Sequence, residues 1–291
     1  MTSADTTPSA AAPSAVAAAS VRGDSSGVRA VSRALAVLQA FTPERSTQTL
    51  SELVRASGLP RTTVLRLVDT LVAEGMLQHG PDGRVGVGTR MIHWGAFAAR
   101  AWAVPAATAD RMAALAEATG ETVSLYVRRG VARVVVAQSP SPHSLRHVVQ
   151  VGDELPLWIG AAGAVLLSGE PADVLDATLD DVDATAHPGA TASSPTTPFS
   201  PVPALPVDRD AVRARVDRAR GEGWSVSHGT REPGNSGIAV LVPGRPPGRP
   251  VALALGGPTS RFTDDAVLRF ADELRRASSD LARTGLPPAL D

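Results

Sequence analysis

The chain has 291 residues, of which 43% are hydrophobic and 20% charged, and its formal net charge is −1. That length favours two domains, and the apolar fraction is sufficient for folded cores. There is no cysteine, and all 28 residues counted as Lys or Arg are Arg. The composition therefore excludes disulfide frameworks, thiolate metal sites, a Cys nucleophile, Schiff-base lysines and the P-loop lysine.

The first 27 residues are rich in Ala, Ser, Thr and Pro, and they lack a basic start followed by a long apolar run. We interpret residues 1–27 as a disordered tail and not as a secretory signal. No stretch of the chain reaches the roughly 18–20 consecutive apolar residues of a membrane span. The sequence therefore predicts a cytoplasmic protein with no membrane partner.

Residues 28–88 carry the pattern of a winged helix-turn-helix. Apolar residues at helical spacing predict three helices, at residues 32–41, 50–56 and 61–74. Gly58-Leu59-Pro60 predicts a tight turn between the last two. Residues 76–87 predict two short strands around Pro81-Asp82-Gly83. Helices joined by a tight turn and followed by a hairpin are typical of DNA-binding proteins.

The exposed face of the third predicted helix carries the candidate DNA contacts. Arg61 and Thr62 lie in its first turn, where unpaired N–H groups and the helix dipole attract phosphate. The Arg66 guanidinium can form a fork onto guanine, and threonine hydroxyls can bind phosphates or base edges. Residues 28–103 contain nine Arg and five acidic residues, so this part is basic although the whole chain is not. The expected contacts are Arg61, Thr62, Thr63, Arg66 and Thr70, with His79 and Arg84 of the wing as further candidates.

The rest of the chain reads as a linker and an α+β domain. Residues 89–104 predict a linker helix that is too apolar to stay solvated alone and suits packing on a partner chain. Residues 105–286 predict helices at 106–119, 160–167, 208–222 and 263–283, and strands at 122–127, 131–138, 145–151, 238–242 and 251–255. Residues 183–207, rich in Pro, Ser, Thr and Ala, predict a mobile loop.

Four segments, in order along the chain, resemble one protein family: LSELVRASGLPRTTVLRLVDTL (50–71), GETVSL (120–125), VGDELPL (151–157) and GPTSRFT (257–263). They are similar to the signatures of IclR-type bacterial transcriptional regulators. The resemblance extends over roughly residues 28–286. It implies a winged helix-turn-helix, a linker helix and a GAF-like effector-binding domain. It also implies dimers, or dimers of dimers, on (pseudo)palindromic operators of catabolic genes.

In such proteins the effector lies between the curved sheet and the helix that follows the Leu-Pro-Leu segment. At the start of that helix, Gly160-Ala161-Ala162-Gly163 would let a carboxylate approach unpaired N–H groups. The alternative is that these small residues only permit close helix–sheet packing. By the resemblance, the effector contacts are expected at His147, Trp158, Ile159, Gly160, Ala161, Ala162, Ser227, Asn235, Ser236, Gly237, Ala254 and Gly256.

Three of these assignments have equally ordinary structural alternatives. His147, on the predicted strand 145–151, is either an effector partner or a sheet histidine that hydrogen-bonds a neighbour. Trp158 is either a stacking surface or a core residue. Asn235 and Ser236, on the loop expected before strand 238–242, are either effector contacts or turn residues.

Several positions depart from the family pattern and bear on the effector. Residues 254–258 replace a Ser-x-Ser-Gly-Pro strand end, Gly237 a cysteine, Ser227 an acidic residue, Trp158 a histidine and Ala164 a lysine. A site with fewer polar groups and an indole favours an aromatic carboxylic acid or related aromatic metabolite over a glyoxylate-sized ligand. The alternative effector is a small aliphatic oxo-acid.

Catalytic, metal and cofactor sites are not expected. His143 and His147 have the i, i+4 spacing of a helical metal site, but four residues of strand would separate their Cα atoms by about 13 Å. The sequence has neither a Gly-x-Ser-x-Gly elbow nor a dinucleotide fingerprint. We therefore predict a ligand-responsive regulator, a repressor of a catabolic operon, whose partners are operator DNA, a small effector and further copies of itself. The alternative is a ligand-sensing protein-interaction module that does not bind DNA.

Overall fold

A computed structural model of the chain describes residues 28–147, 149–186, 207–245 and 248–290. The expectations for the tail, residues 1–27, and for residues 187–206 of the expected loop lie outside them.

Three helices and a small sheet form the amino-terminal part, and they confirm the predicted winged helix-turn-helix. The elements are α1 (Arg29–Leu38), β1 (Thr47–Gln48), α2 (Leu50–Ser57), α3 (Arg61–Ala73), β2 (Leu77–His79) and β3 (Val85–Val87). Thr49 begins α2 with a capping box, because its side chain accepts from the Glu52 N–H while the Glu52 carboxylate accepts from the Thr49 N–H. Gly58 ends α2 in the left-handed conformation, with φ 65°.

The wing is an antiparallel sheet in the order β1-β3-β2. The sequence predicted β2 and β3 but not the two-residue β1. One buried apolar cluster joins the helices to this wing, and it comprises Val37, Phe41, Leu53, Val64, Val68, Leu71, Leu77 and Val85. Helix α3 is therefore fixed between α1, α2 and the wing, with its other face in solvent.

Helix α4 (Arg90–Ala101) follows the wing and matches the predicted linker helix. None of its residues is buried. Even the large apolar side chains Ile92, Trp94 and Phe97 are more than half exposed. The rings of Trp94 and Phe97 meet edge to face, 6.1 Å apart. Among the described helices there is none whose length and apolar content would let it cross a membrane.

The carboxyl-terminal part is a six-stranded antiparallel sheet with helices on both faces. Its elements are α5 (Ala106–Thr119), β4 (Thr122–Arg129), β5 (Ala132–Ser139), β6 (Glu154–Pro156), α6 (Gly160–Ser168), α7 (Ala172–Ala186), α8 (Arg209–Glu222), β7 (Trp224–His228), β8 (Asn235–Leu241), β9 (Val251–Pro258) and α9 (Asp264–Thr284). The strand order is β6-β5-β4-β9-β8-β7. Helices α5 and α9 pack on one face, and α6, α7 and α8 pack on the other.

The two faces of this sheet differ in side-chain size. Strand residues alternate between the faces, and the face under α5 and α9 carries large residues such as Leu125, Ile238 and Leu253. The face under α6 carries small residues at the alternate positions, among them Ser124, Gly237, Ala254 and Gly256. The small residues leave space between the centre of the sheet and the start of α6.

Four expectations from the sequence need correction. Residues 145–151 are not a strand in their described part, and the strand that pairs with β5 at this edge is β6, beside Ala132, Arg133 and Val134. Asn235 and Ser236 lie in β8 and not in a loop before it. The sequence analysis missed one helix, α7, and one strand, β7. Helix α7 also extends to Ala186, four residues into the expected loop 183–207.

We expect Gly163→Ala to destabilise the carboxyl-terminal part by roughly 2 kcal/mol or more. A Cβ at this position would lie 2.0 Å from the Leu157 carbonyl oxygen, so α6 would have to move away from the strand end. Urea unfolding measures the effect. The matched control is Gly221→Ala in α8, where a Cβ meets nothing within 4 Å and stability should stay equal or rise by up to about 1 kcal/mol. Equal stabilities of the two variants would contradict the close packing of α6.

Candidate effector cavity and DNA-binding surface

The outer face of α3 presents a mixed polar and apolar surface. Arg61, Thr62, Arg66 and Thr70 are exposed there, as the sequence predicts, and Thr63 is half-buried at the edge. The Thr70 hydroxyl donates to the Arg66 carbonyl oxygen at 2.9 Å, so it is already engaged with its own helix. The sequence reasoning missed Leu65, whose side chain is 46% exposed beside Arg61 and Arg66. Such an apolar side chain can contact a thymine methyl group in the major groove.

The two wing candidates have different surroundings. His79 ends β2 in an exposed position. The Arg84 guanidinium donates to the Glu52 carboxylate and to the Thr47 carbonyl oxygen, each at 3.0 Å. Arg84 therefore ties the wing to the start of α2, which is a structural role besides the predicted DNA contact.

A cavity of about 60 Å³ lies between the sheet and the start of α6. Most of the residues expected from the resemblance line it together, namely His147, Gly160, Ala161, Ala162, Ser227, Asn235, Ser236, Gly237, Ala254 and Gly256. The lining also contains residues that the sequence reasoning missed: Ser124, Tyr126, Arg133, Thr230, Arg231, Ile238 and Leu255.

Two of the expected contacts, Trp158 and Ile159, are not among the described residues that line this cavity. Trp158 packs against the core cluster under α6 and α8, and its carbonyl oxygen accepts from Arg215 at 2.9 Å. Ile159 is a buried N-cap residue whose carbonyl oxygen accepts from Arg133. The aromatic ring in the cavity wall belongs to Tyr126 on β4, and the predicted indole surface is not there.

Arg133 on β5 is the most buried cation of the cavity wall. Its side chain donates through Nη1 to the carbonyl oxygens of Pro156 and Ile159, the latter at 2.6 Å, and its guanidinium lies 5.6 Å from the centre of the Tyr126 ring. The residue is only 5% exposed. Burial lowers the pKa of Arg133 to about 10, so the guanidinium remains charged at neutral pH.

His147 reaches the cavity from a loop, and Asn235 holds it. The Asn235 side-chain nitrogen and His147 Nδ1 lie 2.6 Å apart. A Cβ on Gly256 would lie 2.8 Å from His147 Cδ2, so the glycine provides the room for the imidazole. Burial, followed by the charges of Arg231 and Arg133, lowers the pKa of His147 to about 4. The imidazole is therefore neutral at pH 7 and acts as a hydrogen-bonding group.

The start of α6 is already capped by a strand residue. Gly160 has φ 80°, a conformation that favours glycine, and the next N–H, of Ala161, donates to Ser227 Oγ at 3.1 Å. Ser227 thus caps the start of α6 from a neighbouring strand, a role that the side chain of the N-cap residue has in many helices. The sequence suggested that a carboxylate could approach this N–H group directly, but the Ser227 hydroxyl already accepts its hydrogen bond.

Three residues that line the cavity each have one buried polar atom without a hydrogen-bond partner among the described residues. These atoms are Ser124 Oγ, Arg133 Nε and Asn235 Oδ1. Buried polar groups in proteins are nearly always paired, and an unpaired group costs about 1–3 kcal/mol. Their convergence on one cavity indicates a site for a polar ligand. Within the described residues there is no group of three or more His, Asp or Glu side chains that could hold a metal ion.

Comparison with known proteins agrees with this arrangement. The family described as "Bacterial transcriptional regulator IclR C-terminal" matches residues 97–283, and the "IclR helix-turn-helix domain" matches residues 30–81. The chain is 26% identical over 267 residues to the HTH-type transcriptional repressor AllR of Klebsiella pneumoniae, covering 91% of this chain and 93% of AllR. These matches are to transcriptional regulators and not to enzymes, as the sequence predicts.

Solved structures give the same result. A transcriptional regulator of the IclR family from Rhodococcus sp. is 37% identical, with a TM-score of 0.52, and the match covers 97% of this chain and all of that one. An IclR homologue from Microbacterium hydrocarbonoxydans, solved in complex with 4-hydroxybenzoate, shares the fold at 22% identity with a TM-score of 0.66, over 88% of this chain and 98% of that one. The IclR-type family models match both parts of the chain, so it belongs to the IclR family of bacterial transcriptional regulators.

Proposed function

We propose that this regulator is a repressor of a catabolic operon whose hold on its operator is set by an aromatic carboxylic acid bound in the cavity beside α6. The observation that carries the proposal is the cavity itself, where a buried cation and three unpaired polar atoms meet a neutral histidine. We further propose that residues 28–88 form the DNA-binding domain, that residues 105–286 form the effector-binding domain, and that residues 89–104 are the linker helix between them.

On the DNA side, we assign the contacts to Arg61, Thr62, Thr63 and Arg66 of α3, with Thr70 at the edge and His79 and Arg84 on the wing. The exposure of Arg61 and Arg66 supports this assignment, since neither has an ion pair within the described residues. A helix held on one side by a buried core and exposed on the other is suited to entering a major groove.

A two-fold arrangement of copies is part of the proposal. The aromatic side chains of α4 are exposed in the single chain, and so are Val28, Val31 and Leu35 near α1. An exposed apolar surface of this kind marks an interaction site, and a second copy would cover it. Two α3 helices could then meet half-sites about one DNA turn apart.

On the effector side, an aromatic acid fits the chemistry of the wall. Tyr126, Ala161, Ala162 and Ala254 offer apolar surface, while Arg133 and Arg231 supply positive charge. The Microbacterium relative was solved with an aromatic acid of this class. A benzene ring occupies a cavity of about 150 Å³ in a protein core. The present cavity of about 60 Å³ must therefore widen to admit an aromatic acid. The part of its wall that Thr230 and Arg231 form belongs to the connection between β7 and β8.

We expect Arg66→Ala to weaken binding to the DNA upstream of the protein's own gene by about 1–3 kcal/mol. The loss of a fork onto a base edge is the reason, and a gel shift at fixed salt measures it. Arg218→Ala in α8 removes an equally exposed arginine from the other part of the chain and should change nothing. Equal binding by both variants would favour the interaction module that does not contact DNA.

The same gel shift examines the two-fold arrangement. A fragment cut between the two halves of the footprint should bind far more weakly than the intact footprint, because only one α3 can dock. Undiminished binding to one half would contradict the paired arrangement.

Aromatic acids should raise the melting temperature of the purified full chain, because a ligand that binds only the folded state stabilises it. The screen compares benzoate and 4-hydroxybenzoate with pyruvate and glyoxylate at equal concentration. Stabilisation by the aromatic pair alone is the expected result. Stabilisation by the oxo-acids alone would replace the aromatic effector with the small aliphatic one.

The neutral state of His147 predicts how stability depends on pH. Its pKa of about 4 in the folded chain lies below the ordinary value of 6.5, so the unfolded chain binds more protons between these values. The contribution to stability is full above about pH 6.5 and falls as the pH approaches 4, by on the order of 3 kcal/mol. We expect His147→Asn to lose this part of the pH dependence in urea unfolding, while His79→Asn, at an exposed site, keeps it. Parallel curves for wild type and His147→Asn would show that the imidazole is not held neutral.

A further inference from the structure

Arg133 differs from three other arginines that are held in place in the carboxyl-terminal part. Arg111, Arg128 and Arg261 each pair with a carboxylate, at 2.8, 2.6 and 2.5 Å respectively. Arg133 is more buried than any of these three, and no carboxylate among the described residues pairs with it. A buried charge without a counter-charge is costly unless something compensates for it.

The hydrogen bonds of Arg133 use only one end of the guanidinium. Nη1 donates to the carbonyl oxygens of Pro156 and Ile159, and this holds the side chain against the turn that leads into α6. Nε is buried without a partner, and no acceptor for Nη2 occurs within the described part of the chain. The N–H groups of Nε and Nη2 point the same way along one edge of the planar group, with the spacing that matches the two oxygens of a carboxylate.

A purely structural role explains Arg133 less well. Two carbonyl oxygens need two neutral donors, and a guanidinium placed for that purpose alone would leave a charge and an unpaired N–H in a buried site. Arg133 also lines the same cavity as Ser124 and Asn235, whose Oγ and Oδ1 atoms are buried without a hydrogen-bond partner among the described residues. One ligand could satisfy all three.

We propose that Arg133 binds the carboxylate of the effector through Nε and Nη2, as a bidentate anchor. This deepens the proposed function, because it names the group that selects an acid over a neutral ligand. The start of α6 is then not the primary carboxylate site, since Ser227 already accepts from its Ala161 N–H. The Ser227 hydroxyl is left to donate to the ligand. His147 and Asn235, paired with each other, provide the neutral polar part of the wall.

The experiment compares matched probes that differ in charge. Benzoate and benzamide have nearly the same shape, and isothermal titration of the full chain gives their dissociation constants. We expect wild type to bind benzoate about 10- to 100-fold more tightly than benzamide, as charge-assisted hydrogen bonds would produce. Arg133→Gln should abolish that preference.

Two further variants separate anchoring from folding. Arg215→Gln removes another partly buried guanidinium that donates to a carbonyl oxygen, that of Trp158, but lies outside the cavity lining. It should keep the preference for benzoate. Arg133→Lys keeps the charge without the fork, so it should retain part of the preference even if Arg133→Gln does not fold. A benzoate preference that stays as large as in the wild type in every folded Arg133 variant overturns the anchor.

The aliphatic probe pyruvate separates this inference from the proposed function. Pyruvate binding that depends on Arg133, without benzoate binding, would refute the aromatic effector and uphold the anchor. Benzoate binding that does not depend on Arg133 would do the reverse. If wild type binds neither carboxylate, the anchor is refuted, while operator binding by α3 is a separate measurement and is unaffected.

Discussion

A buried guanidinium without a carboxylate beside it is the constraint around which the effector part of this protein is arranged. Arg133 is held by carbonyl oxygens at the end of β6 and at the start of α6, so the same side chain fixes the helix and faces the cavity. Gly163 lets α6 approach the strand end closely enough for this contact, since any side chain there would meet the Leu157 carbonyl oxygen. The small residues on that face of the sheet, among them Ala254 and Gly256, then provide the space beside the cation.

In the proposed function, helix α4 is the element that connects the effector cavity with the DNA-binding part. A ligand can move an equilibrium only by its different affinity for two arrangements. Helix α4 follows directly on the wing, and Arg90 at its start pairs with Glu74 at the end of α3, at 3.2 Å. A groove of about 620 Å³ lies between the same two helices, with Trp94 in its wall. A change in the angle of α4 therefore bears directly on the position of the recognition helix.

Much of this fold follows from local patterns in the sequence. Helix α5 has the predicted limits, and α2 and α3 differ from theirs by a single residue, because capping residues and glycines mark their ends. Strand 145–151 was wrong for a physical reason. Its residues alternate as a strand does, but the loop is held by side chains, since Gln138 donates to the Val149 carbonyl oxygen at 2.7 Å and Thr122 to that of His147 at 3.2 Å.

The most important residue of the site was beyond reach of the sequence. Arg133 interrupts an apolar strand, and a charged residue on one face of a strand usually points to solvent. Arg133 is buried because the sheet order places β5 between β6 and β4, and because α6 covers that face of the sheet. Trp158 differs in the opposite way, because its position after the Leu-Pro-Leu segment suggested a stacking surface, yet the partly buried indole packs against the core cluster under α6 and α8.

The most direct measurement of the account is reciprocal linkage between the two sites. The affinity for the operator fragment is measured with and without saturating effector, and the affinity for the effector with and without saturating DNA. Thermodynamic coupling requires that both affinities change by the same factor, which typically lies between about 5 and 150. We predict equal and clearly measurable factors in the wild type. An effector that occupies the cavity while leaving operator affinity unchanged would contradict the account.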